Sequence, residues 1–346
     1  MNKTLLLAAA AAVSLGLATQ ASAREQIRIV GSSTVYPFAI AVAEDFGRST
    51  KFPTPVIEST GSGGGLKLFC EGVGVGTPDI TNASRAIKTS EIELCETNGV
   101  TDIVEVRIGF DGIVLANAKS SPTYSLTKEQ IFLALAKSVP TDGELGPNKY
   151  TTWSQIDSSL PDHKIEVYGP PPTSGTRDAF VELVMEEACE SFTVYEEMSK
   201  DDRKAFCAEM REDGVFIEAG ENDNLIVQKL EANPRALGIF GFSFLDQNAD
   251  KVHGSLVDGV EPTFDNIADG AYPVSRSLYF YVKQAHVGVI PGLVEYVDTF
   301  TSDAAAGPDG FLADRGLIPL PDGERKEMRA NATAMKTINE LQNHEN

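Results

Sequence analysis

Apolar positions along the chain alternate between strand-like and helix-like spacing. Gln26–Val30 (QIRIV) predicts a short strand that stops at Gly31. Phe38, Val42 and Phe46 then recur at i, i+4 and i+8, which predicts a helix over Tyr36–Phe46. Pro53–Ser59 predicts a strand, followed by a helix to about Glu71, and Asp79–Ser84 predicts another short strand running into Arg85. This βαβαβ order implies a parallel sheet with its sites at the strand ends. Val104–Asn117 is apolar enough for a long buried strand that crosses between domains. Beyond it the pattern predicts a helix over Leu126–Leu135, a strand over Ile165–Tyr168 and a helix over Arg177–Ala188. A charged helix over Lys200–Glu212, a helix over Asn222–Ala232 and a strand over Ala236–Leu245 follow. Ala271–Val282 reads as a strand that returns across the domains, and Pro291–Phe300 and Glu324–Leu341 read as helices.

Three of these helices begin with the same kind of segment: Gly31-Ser32-Ser33-Thr34, Gly61-Ser62-Gly63-Gly64-Gly65 and Thr173-Ser174-Gly175-Thr176-Arg177. Ser and Thr cap helices in every fold, so one such segment carries little weight. Three together are different, because a helix N-terminus has unpaired N–H groups and a partial positive charge. Three aimed at one point would enclose a small oxyanion. Gly63–Gly65 cost conformational entropy and bring no side chain to pack, so the bare backbone is expected to serve a purpose there.

Lys3, the apolar run Leu5–Leu17 and Ala21-Ser22-Ala23 read as a secretory signal peptide cleaved after Ala23, with Arg24 beginning the mature chain. The even number of cysteines fits export, and loop-closure entropy favours the local pairs Cys70–Cys95 and Cys189–Cys207. Zinc is not expected, since no C-x-x-C is present and His163, His253, His286 and His344 are scattered. The formal charge of −21 argues against nucleic acid and against anionic membranes as partners. It does not exclude an anionic ligand, because salt screens exposed charge beyond about 8–10 Å and a recessed site feels mainly its own dipoles and arginines.

With these motifs in place, the chain resembles the periplasmic phosphate-binding protein of bacterial ABC phosphate importers. The resemblance is carried in order by GSSTVYPFA at Gly31–Ala39, STGSGGGLK at Ser59–Lys67, DITNASR at Asp79–Arg85, SGTRDAF at Ser174–Phe180 and YPVSRSLY at Tyr272–Tyr279. It implies an α/β fold of the two-lobed type II periplasmic binding class. Residues 24–108 plus 275–346 would form one lobe and 109–274 the other, with ligand held in the cleft between two mainly parallel sheets. It also implies a phosphate site at Ser33, Thr34, the backbone N–H of Val35 or Tyr36, Ser62, Ser174, Gly175 and Thr176. Two positions depart from the better-known branch: Arg85 stands where that branch has an acidic residue, and Pro170 where it has an arginine. Arg177 is the expected replacement cation, and Arg85 joins the expected set. Asp111 on the crossing strand is the expected acceptor of the phosphate proton, with Asp79 or a backbone carbonyl as the alternative.

The function expected is a periplasmic, monomeric phosphate receptor without cofactor or metal that delivers its ligand to an ABC permease. A secreted phosphatase or esterase is the competing class. It lacks support in the sequence, which has no G-x-S-x-G elbow and no histidine near the three loops. A receptor for another oxyanion, such as sulfate, is the second alternative. Trp153 or the tyrosines are expected to report ligand binding by fluorescence.

Overall fold

The computed structural model describes residues 24–141, 144–195, 198–220 and 223–342. The expected leader, its cleavage site, Asn222 and His344 lie outside the described residues.

A curled nine-stranded sheet organises the chain. Strand β1 (Arg28–Gly31) pairs in parallel with β2 (Val56–Ser59) on one side and β3 (Ile80–Ala83) on the other. The crossovers are helices α1 (Tyr36–Ser49) and α2 (Ser62–Phe69), so the expected βαβαβ unit is present. Strand β4 (Ile103–Ala118) is the long crossing strand, buried over most of its 16 residues. The first part of β4 pairs antiparallel with the return strand Ser275–Lys283, and its last part pairs antiparallel with Leu237–Gly241. That strand continues in parallel to Val167–Gly169, and Val167–Gly169 to Phe216–Glu218.

Two large hydrophobic cores sit on the two ends of this sheet, and a smaller third cluster gathers Leu66, Phe69, Cys70, Cys95, Ile103 and Tyr281. Ile29, Phe38, Val42, Phe46, Val106, Phe280 and Tyr296 belong to the first. Ile113, Leu115, Phe132, Trp153, Phe180, Leu237 and Phe240 belong to the second. The division falls on β4 between Ile108 and Phe110. There Gly109 takes φ +150°, and a Cβ would lie 2.4 Å from the Ile318 carbonyl oxygen. The expected local disulfides are both formed, Cys70–Cys95 and Cys189–Cys207.

Four expected elements end differently. The strand expected over Ala236–Leu245 stops at Gly241, and Phe242–Gln247 is helical because Phe242 and Leu245 bury one helical face at i, i+3 spacing. The helix expected over Arg177–Ala188 starts at Gly175 as α-helix Gly175–Phe180, widens into a π-helical stretch at Val181–Glu186 and resumes as Glu187–Glu190. The charged helix beginning at Lys200 ends at Cys207 rather than Glu212. Arg211 beyond it is pulled inward to donate to the Ala134 and Tyr150 carbonyls while pairing with Asp213. The C-terminal helix is two helices, Asp322–Thr333 and Ile338–Gln342, separated at Met335, which takes φ +52°.

Candidate functional site

The parallel strands β1 and β3 end at the same edge, at Gly31 and Ala83, and the segments that leave them face the second core. Ser32 organises the first segment. Its Oγ accepts the Val35 N–H at 3.3 Å and its carbonyl accepts the Tyr36 N–H at 3.0 Å. The two N–H groups expected to face an anion are therefore spent inside their own loop. Thr34 is 6 % exposed, and its Oγ1 accepts a hydrogen bond from Arg276 Nη2 at 2.6 Å.

Helix α2 opens at Ser62 after Gly61, whose φ of +72° suits glycine. The Ser62 Oγ accepts the Ser84 backbone N–H at 3.1 Å and lies 3.1 Å from the Ser84 hydroxyl. The glycine segment and the segment that leaves β3 therefore share one hydroxyl pair. Of the three glycines, Gly65 answers to packing: a Cβ there would lie 2.4 Å from Gly31 Cα. Arg85 sits beside this pair but forms a bidentate ion pair with Glu91, at 2.9 and 2.8 Å. The bond to Glu91 raises the Arg85 pKa and, with the Lys88 N–H, fixes Glu91 at the start of helix Thr89–Thr97.

From the second core, Ser174 caps helix Gly175–Phe180, its Oγ accepting the Thr176 N–H at 3.2 Å. Gly175 brings this segment against the first one. A Cβ at Gly175 would stand 3.5 Å from the Ser33 carbonyl oxygen and 3.5 Å from Thr34 Cα. Arg177 turns toward the sheet. Its guanidinium lies 4.5 Å over the Phe216 ring and donates to the Pro170 carbonyl at 3.3 Å, and burial lowers its pKa.

A cleft of 740 Å³ takes in Ser33, Thr34, Ser62, Ser84, Arg85 and Arg177. An adjoining hollow of 280 Å³ shares Ser33 and Thr34 and takes in Asp111, Ser174, Gly175 and Thr176. Nine of the ten expected residues thus line one or other of these two hollows. Val35 is fully buried beneath it and lines neither wall. Asp111 has a side chain 13 % exposed, its Oδ2 has no hydrogen-bond partner, and burial raises its pKa against the pull of Arg276. Asp79 does not reach the cleft. It lies at the far end of β3, fully buried, where it accepts from Arg24, the Arg28 N–H and His286.

The sequence reading missed Arg276. It lies opposite Asp111 in the pairing of β4 with the return strand, and its side chain is 7 % exposed. Nη2 holds Thr34, Nη1 holds Glu182 at 2.5 Å, and Nε is 3.6 Å from Asp111. The signal was available: Arg276 is an arginine within Tyr272–Tyr279, a segment read as a strand crossing the interior. A cation kept there needs a paired or anionic environment. Trp153, by contrast, is 1 % exposed inside the second core beside Tyr124 and lines neither hollow. Among the described residues, no group of three or more His, Cys, Asp or Glu side chains is placed to hold a metal ion.

A family described as a PBP superfamily domain matches residues 17–304. The chain belongs to that superfamily. Its architecture is accordingly the two-lobed type II α/β fold, and the two hollows lie where the lobes meet. Among relatives, Protein SphX of Synechococcus elongatus is 33% identical over 324 residues, covering 92% of this chain and 84% of the relative. The phosphate-binding protein PstS of Staphylococcus saprophyticus is 28% identical over 321 residues, covering 91% and 86%. Among solved structures, one described as a possible phosphate binding protein from Planctomyces limnophilus superposes with a TM-score of 0.70 at 25% identity, covering 90% of this chain and 98% of that one. A Vibrio cholerae ABC-type phosphate transport receptor shares the fold with a TM-score of 0.56 at 21% identity, over 86% of this chain.

Proposed function

We propose that this protein is a receptor for inorganic phosphate, held between a lobe of residues 24–108 plus 275–346 and a lobe of residues 109–274. The observation that carries the reading is the seating of the buried Arg276 guanidinium on the Thr34 hydroxyl, with the capped Ser174–Thr176 turn packed against Thr34. A desolvated guanidinium, serine and threonine hydroxyls and a helix start form a binding set for a tetrahedral oxyanion. Thr34, Ser62, Ser174, Gly175, Thr176 and Arg276 are the proposed ligands. Ser33, Arg85 and Arg177 line the walls, and Val35 supports the loop from beneath.

The relatives named for phosphate binding support the choice of ligand. The leader expected over residues 1–23 supports export to the periplasm, and delivery to an ABC permease is proposed by analogy with the Vibrio cholerae transport receptor that shares the fold. The relatives named as phosphate-binding proteins support binding rather than catalysis. Among the described residues, no helix is long and apolar enough to cross a membrane.

Asp111 is the proposed reader of the ligand's proton. Its Oδ2, which faces Arg276 Nε at 3.6 Å but accepts no hydrogen bond, can accept the proton of HPO4²⁻, whereas sulfate has no proton to give and would set two acceptors against each other. Calorimetry of the purified mature chain with phosphate and with sulfate tests the reading: saturable phosphate binding with sulfate much weaker is expected. Asp111→Asn is expected to narrow that gap, and an unchanged gap would move the acceptor elsewhere. Absence of phosphate binding by the parent would end the receptor reading.

A further inference from the structure

One contact in the cleft has no part in the ligand set described so far. Arg276 Nη1 donates to Glu182 Oε2 at 2.5 Å. Arg276 stands on the return strand, and Glu182 on the π-helical stretch that follows the Ser174–Thr176 turn. Single π-helical turns are rare and gather at functional positions. The two partners are unequally held: the Arg276 side chain is 7 % exposed and the Glu182 side chain 50 %. The arginine is fixed, with Thr34 on one nitrogen and Asp111 near another. The carboxylate is free to swing into solvent.

We propose that Glu182 is a resident stand-in for the ligand. In the empty cleft its carboxylate covers the face of Arg276 that an oxyanion would take, ties the second lobe to the return strand, and must leave when the oxyanion arrives. This rests on the receptor reading above. Three physical points lead to it. A buried guanidinium stripped of an anionic partner is costly, so the empty site gains from a substitute. A carboxylate offers an arginine the same geometry as two oxygens of a phosphate. An oxyanion bonded to Thr34 and Arg276 would lie within a few ångströms of Glu182, where two anions repel strongly. Binding therefore exchanges one anion for another on the same cation, and the ligand must displace a partner already in place. Arg85 and Asp111 both feel the Glu182 charge, so its departure also changes the field at the mouth and at the proposed proton reader.

The other carboxylates of the same wall differ. Glu186 lies 3.6 Å from Lys204, and Asp178 has no ion pair to Arg276. The test compares the parent with Glu182→Gln, using Glu186→Gln as the control. By calorimetry, Glu182→Gln is expected to bind phosphate about tenfold more tightly, the scale of one charge-assisted hydrogen bond no longer given up. Sulfate is expected to gain by the same factor, because the stand-in opposes both anions alike. Glu186→Gln removes the same charge from the wall without freeing Arg276, and is expected to change both affinities by much less than Glu182→Gln. Unchanged or weaker phosphate binding by Glu182→Gln overturns the proposal. A gain for sulfate alone also overturns it, since Glu182 would then be reading the proton.

Small-angle scattering of the phosphate-free proteins gives a second readout. Glu182→Gln is expected to have the larger radius of gyration, as its lobes are no longer tied, and equal radii overturn the tether. If neither protein binds phosphate or sulfate, the receptor reading fails, displacement fails with it, and scattering alone decides the tether.

Discussion

Among single residues, Arg276, which was not expected in the site, takes the place at Thr34 that Arg177 was expected to hold. Arg276 is buried and directed at Thr34, whereas Arg177 rests on Phe216 and on a carbonyl of its own loop. We expect Arg276→Ala to weaken phosphate binding by about 2–5 kcal/mol, as for a desolvated charge pair, and Arg177→Ala to cost less. Calorimetry on the two variants checks the order, and the reverse order would return Arg177 to the centre of the site. Asp223 gives a second residue-scale prediction. It is 6 % exposed, accepts the Gly241 N–H at 3.3 Å, and burial pushes its pKa up to about 6. An unfolded aspartate releases its proton near 3.8. Between these values the folded state holds more protons, so this group's contribution to stability falls as pH rises through the window. Above about pH 6 the full penalty remains, on the order of 3 kcal/mol. Asp223→Asn, which keeps an acceptor for Gly241, is therefore expected to stabilise by about 1–3 kcal/mol near pH 7.5 and by almost nothing near pH 4. Urea unfolding at both pH values tests this, and an equal effect at both would show that the carboxylate charge is not the cause.

Among elements, helix α2 separates two uses of glycine that the sequence runs together. Gly64 is exposed, and a Cβ there would meet only Thr60 at an ordinary 3.6 Å. Gly65 is buried with its Cα against Gly31 of β1, so a methyl group would have to enter the backbone of the neighbouring strand. We expect Gly65→Ala to destabilise by about 1–3 kcal/mol through overpacking. Gly64→Ala is expected to be neutral or to stabilise by up to about 1 kcal/mol through helix propensity. Equilibrium unfolding of both variants decides the matter: equal effects would mean that the close approach of α2 to β1 is not what requires glycine. The four glycines among residues 61–65 read in the sequence as a candidate site. That one of them is a packing contact became visible only when β1 and α2 were seen together.

For the whole molecule, the two lobes share a sheet but have separate cores, and each carries one local disulfide. Cys70–Cys95 joins the end of α2 to helix Thr89–Thr97, and Cys189–Cys207 joins helices Glu187–Glu190 and Lys200–Cys207. None of the four cysteines lines the cleft. Closing loops of 25 and 18 residues stabilises by about 3 kcal/mol each in the chain-entropy description. Reduction is therefore expected to lower the melting temperature while leaving phosphate affinity unchanged well below it. Calorimetry with and without reductant checks this, and a loss of affinity at low temperature would tie the bridges to the site.

The sequence by itself determined the order of elements in the first lobe, the long crossing strand, the disulfide pairing and most of the residues that meet in the cleft. These are local matters: hydrophobic period, capping chemistry and short loop closure are written within a few residues of where they act. What each side chain does there was decided by tertiary structure. Arg85 carries the motif, yet Glu91 takes its guanidinium. Arg276 stands among strand residues, 165 positions after Asp111, and only the antiparallel pairing of two distant strands sets them opposite each other. Asp79 lies in the same motif as Arg85, yet at the other end of its strand. A strand of four residues spans roughly 13 Å, so neighbours in sequence can occupy opposite edges of a sheet. Electrostatic roles depend on partners that the fold supplies from far along the chain, and no local pattern encodes which partner arrives.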